Sequence, residues 1–300
     1  MSTARPAVVH APVAAAVRQP PRHPTRRRLP SRQPGQQRSA QASRSPDAPG
    51  RARGAEVQTA SIDLARADGP RRAADLALMR FGRIDVWVAS ASVFSYGSVE
   101  DTPDEVRDRV IETNLTGHMR AARAVIPHFR AAGRGTIVFV GSLYSQVAGP
   151  YVSSYVAAKH GLLGFTRSLR QEMLAHRGIR VKIVLPASID TPIYQRAANS
   201  TGRTPFPLPP VVSADRVARA IVRVARGPRH EVGVGAAQFV TRPLQFFAPR
   251  VYDRFIRALQ HALGLRRRPA AATTGAVLTP QHDPGAASGG WSRIPLRRPR

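Results

Sequence analysis

Between residues 55 and 265, short runs rich in β-branched residues alternate with stretches of helical apolar spacing, the pattern of a parallel sheet covered by helices. The spacing predicts strands at 57–62, 84–88, 136–140, 179–185 and 231–235. It predicts helices at 69–81, 103–131, 154–175 and 213–225, the last opened by Ser213 as its cap. No internal repeat interrupts this order. The folded part is therefore expected at 55–265, closing with an amphipathic helix.

The rest of the 300 residues has another character. The net charge is +28, and residues 1–54 contribute +10 of it and residues 266–300 another +6. Both segments are rich in Arg, Pro and Ala and lack any apolar period that could bury a face, so both are expected to be disordered. Residues 1–54 hold no aromatic side chain for stacking on bases, which disfavours a nucleic-acid arm. Nine prolines before residue 50 oppose the amphipathic helix of a targeting presequence. The absence of cysteine excludes disulfides, thiolate metal sites and a cysteine nucleophile. No run of about eighteen apolar residues occurs, the length that a membrane-spanning helix needs. His118, His128, His160 and His176 show no metal-ligand spacing, and no metal is expected.

Chemistry concentrates at Tyr155 and Lys159, four apart on an expected helix and so on one face, with Ser142 at the end of the strand before it. A phenol holds its proton to about pH 10, and a neighbouring ammonium favours the phenolate, bringing it into range for proton exchange with an alcohol or carbonyl oxygen. Ser142 could hold that oxygen. The chain has six tyrosines and only two lysines, so about 0.04 such pairs are expected by chance.

These residues resemble the short-chain dehydrogenases/reductases over roughly 55–235. Asn114 matches that family's helix asparagine, and Ser142, Tyr155 and Lys159 match the rest of its catalytic tetrad, with Gly161 following. Asp63 in Ile62-Asp63-Leu64 matches the aspartate that meets the adenine ring, and Pro186-Ala187-Ser188-Ile189-Asp190-Thr191-Pro192 is similar to the segment that holds the nicotinamide carboxamide. The resemblance implies an α/β, Rossmann-like doubly wound parallel sheet and an NAD or NADP cofactor. It implies cofactor contacts at Asp63, Leu64, Ala89, Ala91, Asn114, Tyr155, Lys159, Pro186, Ile189 and Thr191. Tyr155 would be the general acid/base, Lys159 would tune it, Ser142 would position the substrate oxygen and Asn114 would support the lysine through a water. The implied substrate is a small-molecule alcohol or carbonyl compound, the implied assembly a dimer or tetramer, and the implied location cytoplasmic.

Two departures stand against the family pattern. Ala89-Ser90-Ala91-Ser92 occupies the place of Asn-Asn-Ala-Gly, and Ala187 replaces a usual glycine. More seriously, a dinucleotide site needs a Gly-rich turn between a first strand and a helix. Residues 1–54 contain only Gly35, Gly50 and Gly54, never in that spacing. The sheet is thus expected to be incomplete at its N-terminal strand–helix–strand unit. Arg/Pro/Ala-rich, lysine-free sequence of the same length as the lost unit suggests a frameshifted reading restored near Arg53; the other frames of the upstream DNA test this. A catalytically silent binding or scaffold protein is the rival reading.

The pocket is expected from 93–97, 143–151 and 193–210, with Phe94, Tyr96, Tyr144, Tyr151 and Phe206 making it partly apolar. Val251, Phe255, Leu259 and Leu263 recur every four residues beside Arg254 and Arg257. That stripe is expected to pack on its own domain, close the pocket or meet a second subunit, ahead of lying on an anionic membrane.

Overall fold

The computed structural model describes residues 57–279, 286 and 288–291. The expectation of disorder over 1–54, and of a shifted reading frame there, lies outside the described residues. Helix α1 (Gly69–Phe81) places Pro70 in its first turn, where a missing N–H leaves no bond unmade. It closes on Gly82, whose φ of 73° a side chain would strain and whose N–H donates to the Leu78 carbonyl. Then come β1 (Val86–Ala89), β2 (Ser95–Tyr96), α2 (Asp104–Ile111), a π turn (Glu112–Thr116) and α3 (Gly117–Ala131). The π turn and the two helices form one continuous rod. Next are β3 (Gly135–Val140), a 3-10 turn (Leu143–Ser145), α4 (Ser153–Glu172) and β4 (Ile179–Pro186).

Short pairings follow: β5 (Ile189–Asp190), β6 (Ala198–Asn199), β7 (Arg203–Pro205) and β8 (Val212–Ser213). The last elements are α5 (Ala214–Arg226), β9 (Glu231–Val234), α6 (Ala237–Phe247), α7 (Pro249–Leu259), a second π turn (Gln260–Gly264), β10 (Leu265–Pro269) and α8 (Gly275–Leu278). Ser213 caps α5 as expected, its hydroxyl accepting from the Arg216 N–H.

Strands β1, β3, β4 and β9 lie side by side in that order, all parallel. Because side chains alternate along a strand, each of the central strands feeds two cores. Ile137 and Phe139 of β3, with Val181, Ile183 and Leu185 of β4, pack against Ala73 of α1, Val125 of α3 and Leu162 of α4. Val138 and Val184, one step out of phase, face Val217, Ala220 and Val224 of α5. Helices therefore cover both faces, which makes the sheet doubly wound. Lys182 shares the α5 side, fully buried, and its ammonium donates to the carbonyls of Val224 (2.7 Å) and Gly227 (2.5 Å). It satisfies carbonyls that the end of α5 leaves without helical partners.

Two expectations change. Residues 57–62 form no strand, and β1 has no strand on its far side among the described residues. The segment is held another way. Asp63 is buried, accepts from the Ala65 N–H (3.0 Å) and pairs with Arg109 (2.6 Å). The Leu64 carbonyl passes so close to Gly117 that a Cβ there would come within 2.8 Å of it. The domain boundary at 265 also moves. β10 pairs antiparallel with β7, and α8 is tied in by Ala276 N–H donating to the Arg196 carbonyl (2.8 Å), so the fold continues to 279 at least. No helix among the described residues is long and apolar enough to cross a membrane.

Candidate active site

Helix α4 carries Tyr155 and Lys159 one turn apart, and both are buried. The Lys159 ammonium lies 5.5 Å from the centre of the Tyr155 ring and donates to the Val140 carbonyl at the end of β3 (3.0 Å). Two residues on, Ser142 opens the 3-10 turn with a reciprocal cap. Its Oγ accepts from the Tyr144 N–H, and its own N–H donates to Ser145 Oγ, both at 3.1 Å. The cap fixes the Ser142 side chain while leaving its hydroxyl proton free to donate elsewhere. Strand end, turn and helix thus bring the expected hydroxyl, phenol and ammonium together.

Burial sets the electrostatics. It pushes the Tyr155 phenol well above its ordinary value, with the neighbouring Ser142 and Ser92 hydroxyls pulling the other way. Burial also lowers Lys159 to about 7. Burial thus disfavours the charged form of both groups.

The three residues line a cavity of about 900 Å³ whose walls are mainly apolar. The Phe94 ring lies over Tyr155 with 4.2 Å between centres, and Tyr144 meets it edge-on at 6.3 Å. Pro186, Ile189 and Thr191 line the same cavity, as do Tyr252, Ile256 and Leu259 of the C-terminal helix. Of the expected stripe, Phe255 and Leu259 line the cavity, whereas Val251 and Leu263 do not. Of the aromatic residues expected there, Phe94 and Tyr144 line the cavity, whereas Tyr96, Tyr151 and Phe206 do not.

Asn114 sits in the π turn, fully buried, and its amide clamps the backbone of Val93: Nδ2 donates to the carbonyl (2.8 Å) and Oδ1 accepts from the N–H (2.9 Å). One turn on, the His118 Nε2 bonds the Ala91 carbonyl at 2.9 Å. Burial and the Lys159 charge lower His118 to about 3, so it is neutral and Nε2 is the donor. Together they hold the segment after β1 against the cavity. Asn114 positions that segment through its side chain.

The expected cofactor residues divide into two groups. Tyr155, Lys159, Pro186, Ile189 and Thr191 line the cavity, whereas Asp63, Leu64, Ala89, Ala91 and Asn114 do not. Both Asp63 carboxylate oxygens already accept from protein donors. No Gly-rich turn opens a helix beside the sheet among the described residues. The residues that line the cavity offer a phenol, an ammonium, a hydroxyl and apolar walls, and none of the expected cofactor residues supplies a pyrophosphate cradle.

Three further residues complete the site. Ser92 lines the cavity, and its buried hydroxyl neighbours the Tyr155 phenol. Tyr194 joins the aromatic wall, 5.8 Å from Phe94. Trp291, a hundred residues downstream, donates from its indole to the Thr191 carbonyl and from its backbone N–H to Asp190, both at 2.9 Å. Ser92 belongs to the altered Ala89–Ser92 turn and Tyr194 to the expected pocket segment 193–210, whereas nothing in the sequence marked Trp291.

Comparison with known proteins identifies the family. Residues 36–201 match the family model for short chain dehydrogenases. The oxidoreductase YxnA of Bacillus subtilis is 28% identical over 238 residues, covering 77% of this chain and 67% of its own. The D-beta-hydroxybutyrate dehydrogenase of Rhizobium meliloti is 36% identical over 138 residues, covering 45% of this chain and 53% of its own. Apart from YxnA, this chain spans about half the length of such curated relatives. Among solved structures, a short-chain dehydrogenase from Streptomyces avermitilis superimposes with a TM-score of 0.56 at 23% identity, over 64% of this chain and 75% of that one. An alcohol dehydrogenase from Thermococcus sibiricus, in complex with 5-hydroxy-NADP, gives a TM-score of 0.52 at 22% identity, over 61% and 76%. Fold, site order and family match converge: the chain belongs to the short chain dehydrogenase family.

Proposed function

We propose that this protein is an NAD(P)-dependent oxidoreductase that interconverts an alcohol and a carbonyl compound. The observation that carries the proposal is the meeting of Ser142, Tyr155 and Lys159 on the wall of a mainly apolar cavity. Relatives named as an NAD-dependent oxidoreductase and as dehydrogenases support it, as does the NADP-derivative complex of the Thermococcus sibiricus enzyme. The nicotinamide, when bound, supplies or takes the hydride.

In the reducing direction the Tyr155 hydroxyl delivers its proton to the substrate oxygen, and in the oxidising direction the phenolate removes it. Ser142 donates a hydrogen bond to that oxygen and keeps it in line with the phenol. Lys159, in its charged form, stabilises the phenolate left after proton delivery. Phe94 and Tyr144 shield the phenol from water, which strengthens these interactions and keeps the resting proton on Tyr155. The apolar walls favour a carbonyl compound whose remaining groups are hydrocarbon.

The test is turnover of a panel of aliphatic and aromatic alcohols and ketones with each nicotinamide cofactor. The wild-type chain is expected to turn over part of the panel, and Tyr155→Phe to lose at least about a thousandfold in kcat. Equal rates in the two proteins would refute the assignment. The lack of a Gly-rich turn in the sequence of residues 1–54 favours a second reading, a silent binding protein, which predicts no turnover by either chain.

A further inference from the structure

Six of the exposed large apolar side chains cluster on two consecutive helices. Phe239, Val240, Phe246 and Phe247 stand on the outer face of α6, and Val251 and Phe255 on that of α7, with exposures from 42% to 83%. The inner faces of the same helices are satisfied. Gln238 donates to the Leu185 carbonyl (2.9 Å), the Tyr252 hydroxyl donates to the Ala148 carbonyl (2.5 Å), and Ile256 is buried. Elsewhere the exposed large apolar residues come one to an element: Met79, Val86, Val99, Met119, Leu174 and Val222. Isolated residues of that kind need no explanation, whereas a joined patch does.

The charges beside the patch select its partner. Arg250, Arg254 and Arg257 are exposed and recur at helical spacing next to Val251 and Phe255, and Arg242 is exposed on α6. Asp253 is the single acid on the two helices. A second copy meeting this face about a two-fold axis would set one arginine row against the other, which costs energy. A surface of phosphate headgroups over hydrocarbon complements both features at once, because guanidinium groups pair with phosphate while the rings enter the acyl boundary. Val240 and Phe255 belong to the patch and also line the cavity, so the cavity opens where the patch would touch lipid.

We propose that the outer face of α6 and α7 docks on an anionic lipid bilayer, with Phe246 and Phe247 inserted and Arg250, Arg254 and Arg257 on the headgroups. Substrate then reaches the cavity from the membrane interface. The surface does not depend on the catalytic assignment, and its test reads no turnover.

The basic ends of the full chain would adhere to anionic vesicles by charge alone, so the test must report insertion. Phe247→Trp in the 300-residue chain is mixed with vesicles of phosphatidylcholine and about one-third phosphatidylglycerol, the former carrying brominated acyl chains. Met79→Trp, on α1 in the main body of the fold, is the control. Each variant is read as its difference from the parent chain, which carries Trp87 and Trp291. Bromine is expected to quench the indole introduced at position 247 and shift its emission to the blue, leaving the indole introduced at position 79 unchanged. Phe246→Ser combined with Phe247→Ser, with thermal melting by circular dichroism confirming the fold, is expected to weaken partitioning about tenfold or more. Quenching at neither position, or at both, would overturn the proposal. So would unchanged partitioning of the serine variant, or light scattering showing that the same substitutions instead split a dimer.

Discussion

The chain has two lysines among 46 basic residues, and both are buried. Their surroundings are nonetheless opposite in kind. Lys182 reaches from the sheet to the end of α5, spends its ammonium on two main-chain carbonyls and does not line the cavity. Lys159 spends one bond on the Val140 carbonyl and turns its remaining protons toward the cavity wall that holds Tyr155. Burial lowers the pKa of both. A buried lysine is thus no marker of catalysis by itself. A phenol one turn away and a cavity beside it are what separate a helix cap from a proton-transfer site.

Substituting each lysine by methionine should break the comparison cleanly if it is right. Lys159→Met is expected to lower kcat by about a hundredfold to ten-thousandfold while costing less stability than Lys182→Met, because it strands one carbonyl, that of Val140, rather than two. Lys182→Met is expected to do the reverse. It strands the Val224 and Gly227 carbonyls and should cost about 1–3 kcal/mol of stability, seen in urea unfolding, with little change in turnover per folded molecule. Equal losses of activity in both variants would erase the distinction.

The pH dependence of stability sharpens it. The folded pKa of Lys159, about 7, lies below the ordinary 10.5, so the unfolded chain binds more protons between those values and stability rises with pH across that window. Lys182 is shifted in the same direction, by burial first and Arg180 second, and adds to the rise. Lys159→Met should therefore flatten the rise without abolishing it. Thermal melting from about pH 7 to about pH 10 at constant ionic strength checks this, and an unchanged slope would contradict the burial assigned to Lys159. The smallest effect is expected at Ser92, whose buried hydroxyl neighbours the Tyr155 phenol at the cavity wall. Ser92→Ala should leave stability the same or slightly higher and lower kcat/KM about two- to tenfold.

What could be read in advance follows from where the determining contacts lie. Helix α1 falls at 69–81 as its spacing requires, and β3, α4, β4 and α5 agree with expectation to within a few residues. In each, the apolar period, a cap or a proline decides the structure locally. Helix α6 has no such signal, since it carries Pro243 inside, has no side-chain cap and exposes much of its apolar surface. The pairing of β10 with β7 joins residues about sixty apart, and neither strand has an alternating pattern of its own, so a boundary drawn from pattern at 265 falls too early. Tyr155, Lys159 and Ser142 are legible because their types and spacing are rare in this chain. The Asn114 clamp on Val93, the neutral His118 and the Trp291 contact depend on tertiary approach, which no local pattern encodes.

The central claim is that this cavity takes a nicotinamide cofactor against Tyr155 and Lys159. Titration of NADH and NADPH into the full 300-residue chain, followed by cofactor fluorescence, tests it most directly. Saturable enhancement by at least one of the two, weakened in Lys159→Met and retained in Tyr155→Phe, is the predicted result. No saturable binding of either cofactor would contradict the oxidoreductase account and leave a binding protein with a silent dehydrogenase fold.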